Sequence, residues 1–438
     1  MRLPGVVVTL ALAIAPLSAE VTVLKNFTLI DGTARPPVPG AAMIVDNGRI
    51  QWVGPAAQLK APPGAATVDW SGRFVMPGLI NLHGHVGNVI GMVQDPKFFT
   101  RDNIMRYLHT YASYGVTTVL SLGTDQDLIF QIRAEQRAGR PAETRVFTAG
   151  RGFAYKGGYG GMPGVTYFIS SPAEVPADVA QLAKNKVDIV KVWVDDHLGH
   201  MKKMPFDCSK AIIDSARQYH LHTAAHIFYL SDAKQLSAAG IYGLAHSVRD
   251  QPVDQELIDL MKSHGVWQAA ATLTRELSMF VYAKPAPFLN DPFFTRSIDP
   301  AVLAKVKSAD FQKAQMADED FPKYAPILEM AKRNFKKLVD AGVKYGFGTD
   351  SGPAPGTRFI GVFEQLELEL EVQAGLTPQQ AITGATANAA EFLGESKNLG
   401  TLQAGRWADL IVLRKNPLTD IKNTRTIETV WIAGHAVR

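Results

Sequence analysis

A single cysteine, Cys208, stands in 438 residues. No internal disulfide can form, so stability must come from the core. Charge of one sign never accumulates: 45 basic and 41 acidic residues interleave to a formal net charge of +4. The densest basic group, Lys332-Arg333 with Lys336-Lys337, has the spacing of a solvated helix face, which argues against nucleic acid or another polyanion as partner. No Gly-x-Gly-x-x-Gly turn follows the first strand of the central region, which counts against a doubly wound open sheet, the runner-up fold. The glycine-rich stretch 151–165 lacks the Lys-Ser/Thr ending of a phosphate loop. Long hydrophobic runs are missing as well. The apolar stretch 6–15 is too short to cross a bilayer; it follows the basic start Met1-Arg2 and precedes Leu17-Ser18-Ala19. It has the form of a secretory leader over 1–19, whose removal leaves no stable membrane insertion and implies a secreted or periplasmic protein. Retention as an anchor is the alternative.

What remains is an ordinary globular composition, 46% apolar and 20% charged, on a chain long enough for one large domain and a smaller companion. Residues 21–75 read as short β-runs with turn punctuation, and Asn47-Gly48 between two apolar runs is a hairpin signal. Residues 408–437 have the same texture. Neither end has enough strands to stand alone, so 20–77 and 400–438 are expected to pair into one composite β-sandwich. Between them, 78–399 alternates strand and helix. Strand candidates fall at 79–83, 116–122, 145–149, 187–194, 222–226, 241–246, 266–273 and 343–348, with helical periodicity at 103–113, 210–219, 255–263, 325–341 and 359–374. That alternation is the pattern of an α/β fold, a closed parallel (β/α)8 TIM-like barrel.

In such a barrel the chemistry sits at the C-terminal strand ends. His83 and His85, one residue apart, point the same way from the first strand, roughly 6 to 7 Å apart along the chain. Lys191 lies late in the fourth strand, His226 ends the fifth, His246 the sixth, and Asp350 follows the eighth. Imidazole and carboxylate are ligands suited to zinc. A protonated lysine would repel a divalent ion; the competing role for Lys191 is a cation paired with Asp195 or Asp196. His197 and His200 follow the fourth strand and are candidate substrate contacts.

This order of residues resembles the amidohydrolase superfamily over nearly the whole mature chain, including the closing Gly405-Arg406-Trp407-Ala408-Asp409-Leu410, and within it the imidazolonepropionase-like and Xaa-Pro or Xaa-Arg dipeptidase-like branch. The resemblance implies a metal-dependent hydrolase acting on carbon–nitrogen bonds. His83, His85 and Asp350 would hold one divalent ion and His226 and His246 a second, two Zn2+ by default, bridged by hydroxide and a carboxylated Lys191. The bridging hydroxide would attack a polarised carbonyl while Asp350 takes the water proton and passes it to the leaving nitrogen.

The expected substrate is a small molecule, a dipeptide or an N-acyl amino acid. Its carboxylate needs a partner among Arg151, Tyr155, Tyr229, Arg249 and Arg275, all placed after strand ends; Tyr155, Tyr229 and Arg249 are singled out by position. The loop 151–165 is expected over the metals, and the long connection 274–324 is expected to hold a lid or inserted helices. Its aromatics either wall a substrate pocket or pack the insertion onto the barrel. Three alternatives stay open: a one-metal enzyme opening a cyclic amide or deaminating a ring, a lactone or phosphotriester substrate on the same metals, and a non-catalytic assembly protein of the same fold. A homo-oligomer is compatible with the sequence, which carries no signal of its state.

Overall fold

The computed structural model describes residues 21–353 and 355–437. The expected leader lies outside them. Seven parallel strands of the central region are β1 (Leu79–Gly84), β2 (Val116–Ser121), β3 (Arg145–Thr148), β4 (Val190–Trp193), β5 (Thr223–His226), β6 (Gly243–Ala245) and β7 (Trp267–Ala270). Ladders join β1, β2 and β3, and separately β4 through β7. The extended segment 343–350 takes the eighth position. It bridges β7 at Gln268 to Tyr345 and β1 at Gly84 to Ser351, and the Leu82 N–H donates to the Phe347 carbonyl at 2.8 Å. Between β3 and β4 the Asp188 N–H donates to the Thr148 carbonyl, and the Thr148 N–H to the Asp188 carboxylate. The architecture is that of a (β/α)8 barrel. Every residue of β1, β2, β4 and β5 is buried, the polar Asn81, Thr117, Thr118, Ser121, Lys191 and Thr223 included, as expected of a parallel sheet covered on both faces.

The crossover helices follow their local signals. In Arg101–Ser113, Thr100 caps the first turn through Asn103 N–H, and Ile104, Tyr107, Leu108, Tyr111 and Ala112 form one buried stripe. Helix Gln255–His264 starts on an Asp254 cap and stops at Gly265 in the left-handed region. The connection 274–324 folds into short helices, among them Pro300–Lys307 and Ala309–Met316. Its aromatics Tyr282, Phe288 and Phe294 pack with Tyr114, Phe359 and Phe363, so they seat the insertion on the barrel.

The chain ends form a separate eight-stranded sheet. Thr22–Leu29 pairs with Val38–Asp46 on one edge; on the other it pairs first with Ala66–Asp69 and then with Phe74–Pro77. This branching gathers Leu24, Phe27, Met43, Ile50, Trp70 and Val412 into one core. The C-terminal strand Leu410–Leu413 pairs antiparallel with Phe74–Pro77. Asn47 and Gly48 both have positive φ, the two-residue turn that matches the twist of a hairpin.

Candidate metal centre

His83 and His85 leave the end of β1, where the ladder to β2 shifts register between Asn81 and Gly84. Their ring centroids are 5.5 Å apart. Asp350 has φ of 56°, a left-handed conformation that side chains rarely adopt. Its Oδ1 lies 3.0 Å from His85 Nε2 and 3.5 Å from His83 Nε2. Among the described residues these three form a group whose ligand atoms all lie within 4.8 Å of one another, and all three are buried.

The other two histidines adjoin them. His246, also at positive φ, has its ring 4.8 Å from that of His83 and 4.1 Å from that of His226. The Thr272 hydroxyl donates to the Ala271 carbonyl, so it accepts from His246 Nδ1 at 2.6 Å and leaves Nε2 with its lone pair. Thr124 holds His85 Nδ1 at 3.0 Å. His226 differs, for its Nε2 lies 2.6 Å from Asp195 Oδ2, and Nδ1 is the nitrogen left over. Burial pushes all four imidazoles down, His226 to about 4, and keeps them in the neutral form that binds metals.

Lys191 is fully buried in β4, and Asp195 and Asp196 are committed elsewhere: Asp195 to His226, and Asp196 to the Tyr229 hydroxyl at 2.6 Å. Burial pushes the Lys191 amine down to about 7, with the Asp350 charge acting in the opposite direction. Burial would also raise the Asp350 carboxyl, but the ion-paired Arg358 and the two imidazoles hold it well below the usual carboxylate range. His83 Nδ1, Lys191 Nζ and His246 Nε2 are buried without a hydrogen-bonding partner. Leaving one such atom unsatisfied costs about 1–3 kcal/mol. His83 turns Nε2 toward Asp350, and the unsatisfied Lys191 Nζ and His246 Nε2 of the neighbouring strands fit a site that receives cations.

The structure separates the residues singled out by position for a substrate carboxylate. Tyr155 ends a short strand, Phe153–Tyr155, and packs its ring against the apolar core of the barrel. Arg249 is fully buried: its Nε faces Glu276 at 3.1 Å and its Nη1 donates to the carbonyls of Ile227 and Ser247, while Nη2 has no hydrogen-bonding partner. Tyr229 spends its hydroxyl on Asp196. The ring that reaches the histidines is Tyr159, 5.0 Å from His226 and stacked on His197, with its hydroxyl accepting from Arg275 at 2.9 Å. Strand-end position could not tell Tyr155 from Tyr159. The local signal was Gly160, at φ of 89°, where a Cβ would lie 2.3 Å from Trp193 Cγ; only glycine lets the loop lie on that ring. His200 is held by Asp320 at 2.9 Å, away from the histidine cluster.

Residues 74–437 match the model of the amidohydrolase family. The ochratoxinase of Aspergillus niger is 24% identical over 463 aligned positions, covering 95% of this chain and 86% of that protein. An imidazolonepropionase of Cereibacter sphaeroides is 25% identical over 431 positions, covering 89% of this chain and 91% of that protein. The crystal structure of a Xaa-Pro dipeptidase with bound methionine in the active site shares the fold, with a TM-score of 0.73 at 23% identity over 95% of this chain and 99% of that one.

Proposed function

Because the chain belongs to the amidohydrolase family, whose members are metal-dependent hydrolases acting on carbon–nitrogen bonds, we propose that it cleaves the amide of a small substrate, a dipeptide or an N-acyl amino acid, at a two-metal centre. The convergence of His83, His85 and Asp350 carries this reading. Those three would hold one divalent ion, His226 and His246 a second, and carboxylated Lys191 would stand between them. Zinc suits the nitrogen and oxygen donors. When bound, such ions supply Lewis acidity that lowers the pKa of water and polarises a carbonyl.

The residues themselves do the rest. Asp350, kept ionised by Arg358 and its histidine neighbours, is the base that accepts the proton of the attacking water and returns it to the leaving nitrogen. Asp195, Thr124 and Thr272 fix the rings of His226, His85 and His246, and so decide which nitrogen each presents. Lys191 is shielded from water and close to neutrality, the state in which an amine can add carbon dioxide. Tyr159, held by Arg275, sets its ring beside His226. Together with the leader read in 1–19, this describes an exported enzyme; no helix among the described residues is long and apolar enough to cross a membrane.

The Asp195–His226 pairing favours a second reading, a single ion at His83, His85 and Asp350 serving a cyclic-amide substrate. Elemental mass spectrometry of protein purified without chelator separates the two, with Lys191→Ala alongside wild type. Two ions falling to one or fewer in the variant, with turnover of dipeptides or N-acyl amino acids, supports the two-metal amidase. One ion in both proteins, with turnover only of cyclic amides, overturns it.

A further inference from the structure

Helix Val362–Gln373 buries four carboxylates, Glu364, Glu367, Glu369 and Glu371. Burying a carboxylate is expensive unless hydrogen bonds compensate it, so what each one binds is informative. Glu364 Oε1 accepts from Asn81 Nδ2 at 2.7 Å, Thr349 Oγ1 at 2.8 Å and Ser351 Oγ at 2.6 Å, while Oε2 takes the Gly361 N–H. Thr349 and Ser351 flank Asp350. Asn81 in turn accepts the His83 N–H through Oδ1 at 2.8 Å. One oxygen therefore ties the strand carrying the His-x-His pair to the segment that turns Asp350 into the left-handed region. Since Ser351 donates to Glu364, Tyr111 must donate to Ser351 at 2.8 Å, which closes the network.

One turn along, Glu367 accepts from the Leu273 and Thr274 N–H groups at 2.7 Å each and from the Thr274 hydroxyl at 2.6 Å. These residues follow Thr272, at φ of 53°, whose hydroxyl orients His246. Neither oxygen of Glu371 has a hydrogen-bonding partner. Glu369 is ion-paired with Arg425, so the helix carries three anchored carboxylates, two of them facing the metal-centre segments, and one unanchored one.

We propose that Glu364 and Glu367 are positioning residues of the metal centre: Glu364 sets the distance between the His83–His85 strand and Asp350, Glu367 sets the ring of His246, and the two together govern metal affinity. This rests on the metal-centre reading above. Neither residue is a ligand, and each acts through hydroxyls and backbone amides that hold ligands. Removing such a partner typically weakens metal binding ~10- to 100-fold.

The test is a titration of chelator-treated protein with Zn2+ alone, in competition with a chromophoric chelator, for wild type, Glu364→Ala, Glu364→Gln, Glu367→Gln and Glu371→Leu. Circular dichroism and thermal unfolding are recorded on each. The alanine variant is expected to bind at least tenfold more weakly. Glu364→Gln, which keeps an acceptor for the three hydroxyl and amide donors but not for Gly361, falls between it and wild type. Glu367→Gln is expected to lose affinity too, and Glu371→Leu none. Folded glutamine variants with wild-type zinc affinity and only a lowered melting temperature would overturn the proposal. Wild type that takes up no zinc overturns the metal-centre reading first, and this inference with it.

Discussion

Gly160 shows how much one atom decides. Its positive φ and the 2.3 Å approach of a hypothetical Cβ to Trp193 leave no space for alanine. Trp193 cannot retreat, because it is buried, Gly152 packs closely on its ring and Lys191 Nζ lies 5.3 Å from its centroid. Gly160→Ala should therefore displace the loop that brings Tyr159 to His226, at a backbone cost of ~1–3 kcal/mol. The expected outcome is a fall in kcat/KM of about tenfold or more, since ~1.4 kcal/mol is one decade in rate. Steady-state kinetics on the best amide substrate, with a metal count showing the ions retained, checks it; unchanged kcat/KM would show that the ring of Tyr159 beside His226 plays no part in turnover. At this scale the sequence was readable where a strand end sets direction, as at His83, His85, His226 and His246. It was silent where a loop does, as with Tyr155 and Tyr159.

At the scale of elements, the 362–373 helix was legible from its apolar periodicity while its buried carboxylates were not, because a glutamate in a helical pattern ordinarily faces water. Glu371 carries a clear consequence. Burial, then the charge of Glu367, raises its carboxyl well above the usual range, so the folded chain keeps a proton that the unfolded chain releases above about pH 4.5. The native state then binds more protons, and the contribution of Glu371 to stability declines as pH rises from there toward the folded pKa. Glu371→Leu removes both this slope and an unsatisfied buried group worth about 1–3 kcal/mol. It should be more stable than wild type, with a larger gain at pH 8 than at pH 5. Denaturant unfolding at the two pH values measures this, and an equal or opposite difference would show that Glu371 finds partners in solution.

At the scale of the whole molecule, the terminal sheet and the barrel are joined through Asp409. Its carboxylate receives Arg145 Nε at 2.8 Å, Arg145 Nη2 at 3.2 Å and the Ala433 N–H at 2.6 Å, and its carbonyl takes the Gly78 N–H at the start of β1. Arg145 and Arg49 both lie against the Trp407 ring. Removing one partner of a buried pair leaves the other charge uncompensated, a loss of ~3–5 kcal/mol. Asp409→Ala should unfold at clearly lower temperature, and Arg145→Ala/Asp409→Ala should lose less than the sum of the single changes. Calorimetry on the four proteins of the cycle reads this, with metal content per folded chain expected to stay at the wild-type value. Strict additivity would mean that the two units are joined elsewhere.

The alternation of strands and helices, the pairing of the chain ends and the order of six ligand-type residues at the strand ends were all legible along the chain. These follow from periodicity, turn chemistry and strand direction, which are local. The sequence also pointed to the family, to which residues 74–437 belong. Tertiary structure alone decided which acid serves which base. Asp195 went to His226 and left Lys191 without a hydrogen-bonding partner, Arg249 was buried on Glu276, and Glu364 was brought from far along the chain to Asn81 and the residues flanking Asp350. Such choices depend on distances between residues tens to hundreds of positions apart and on the desolvation those distances impose, and neither quantity exists until the barrel closes.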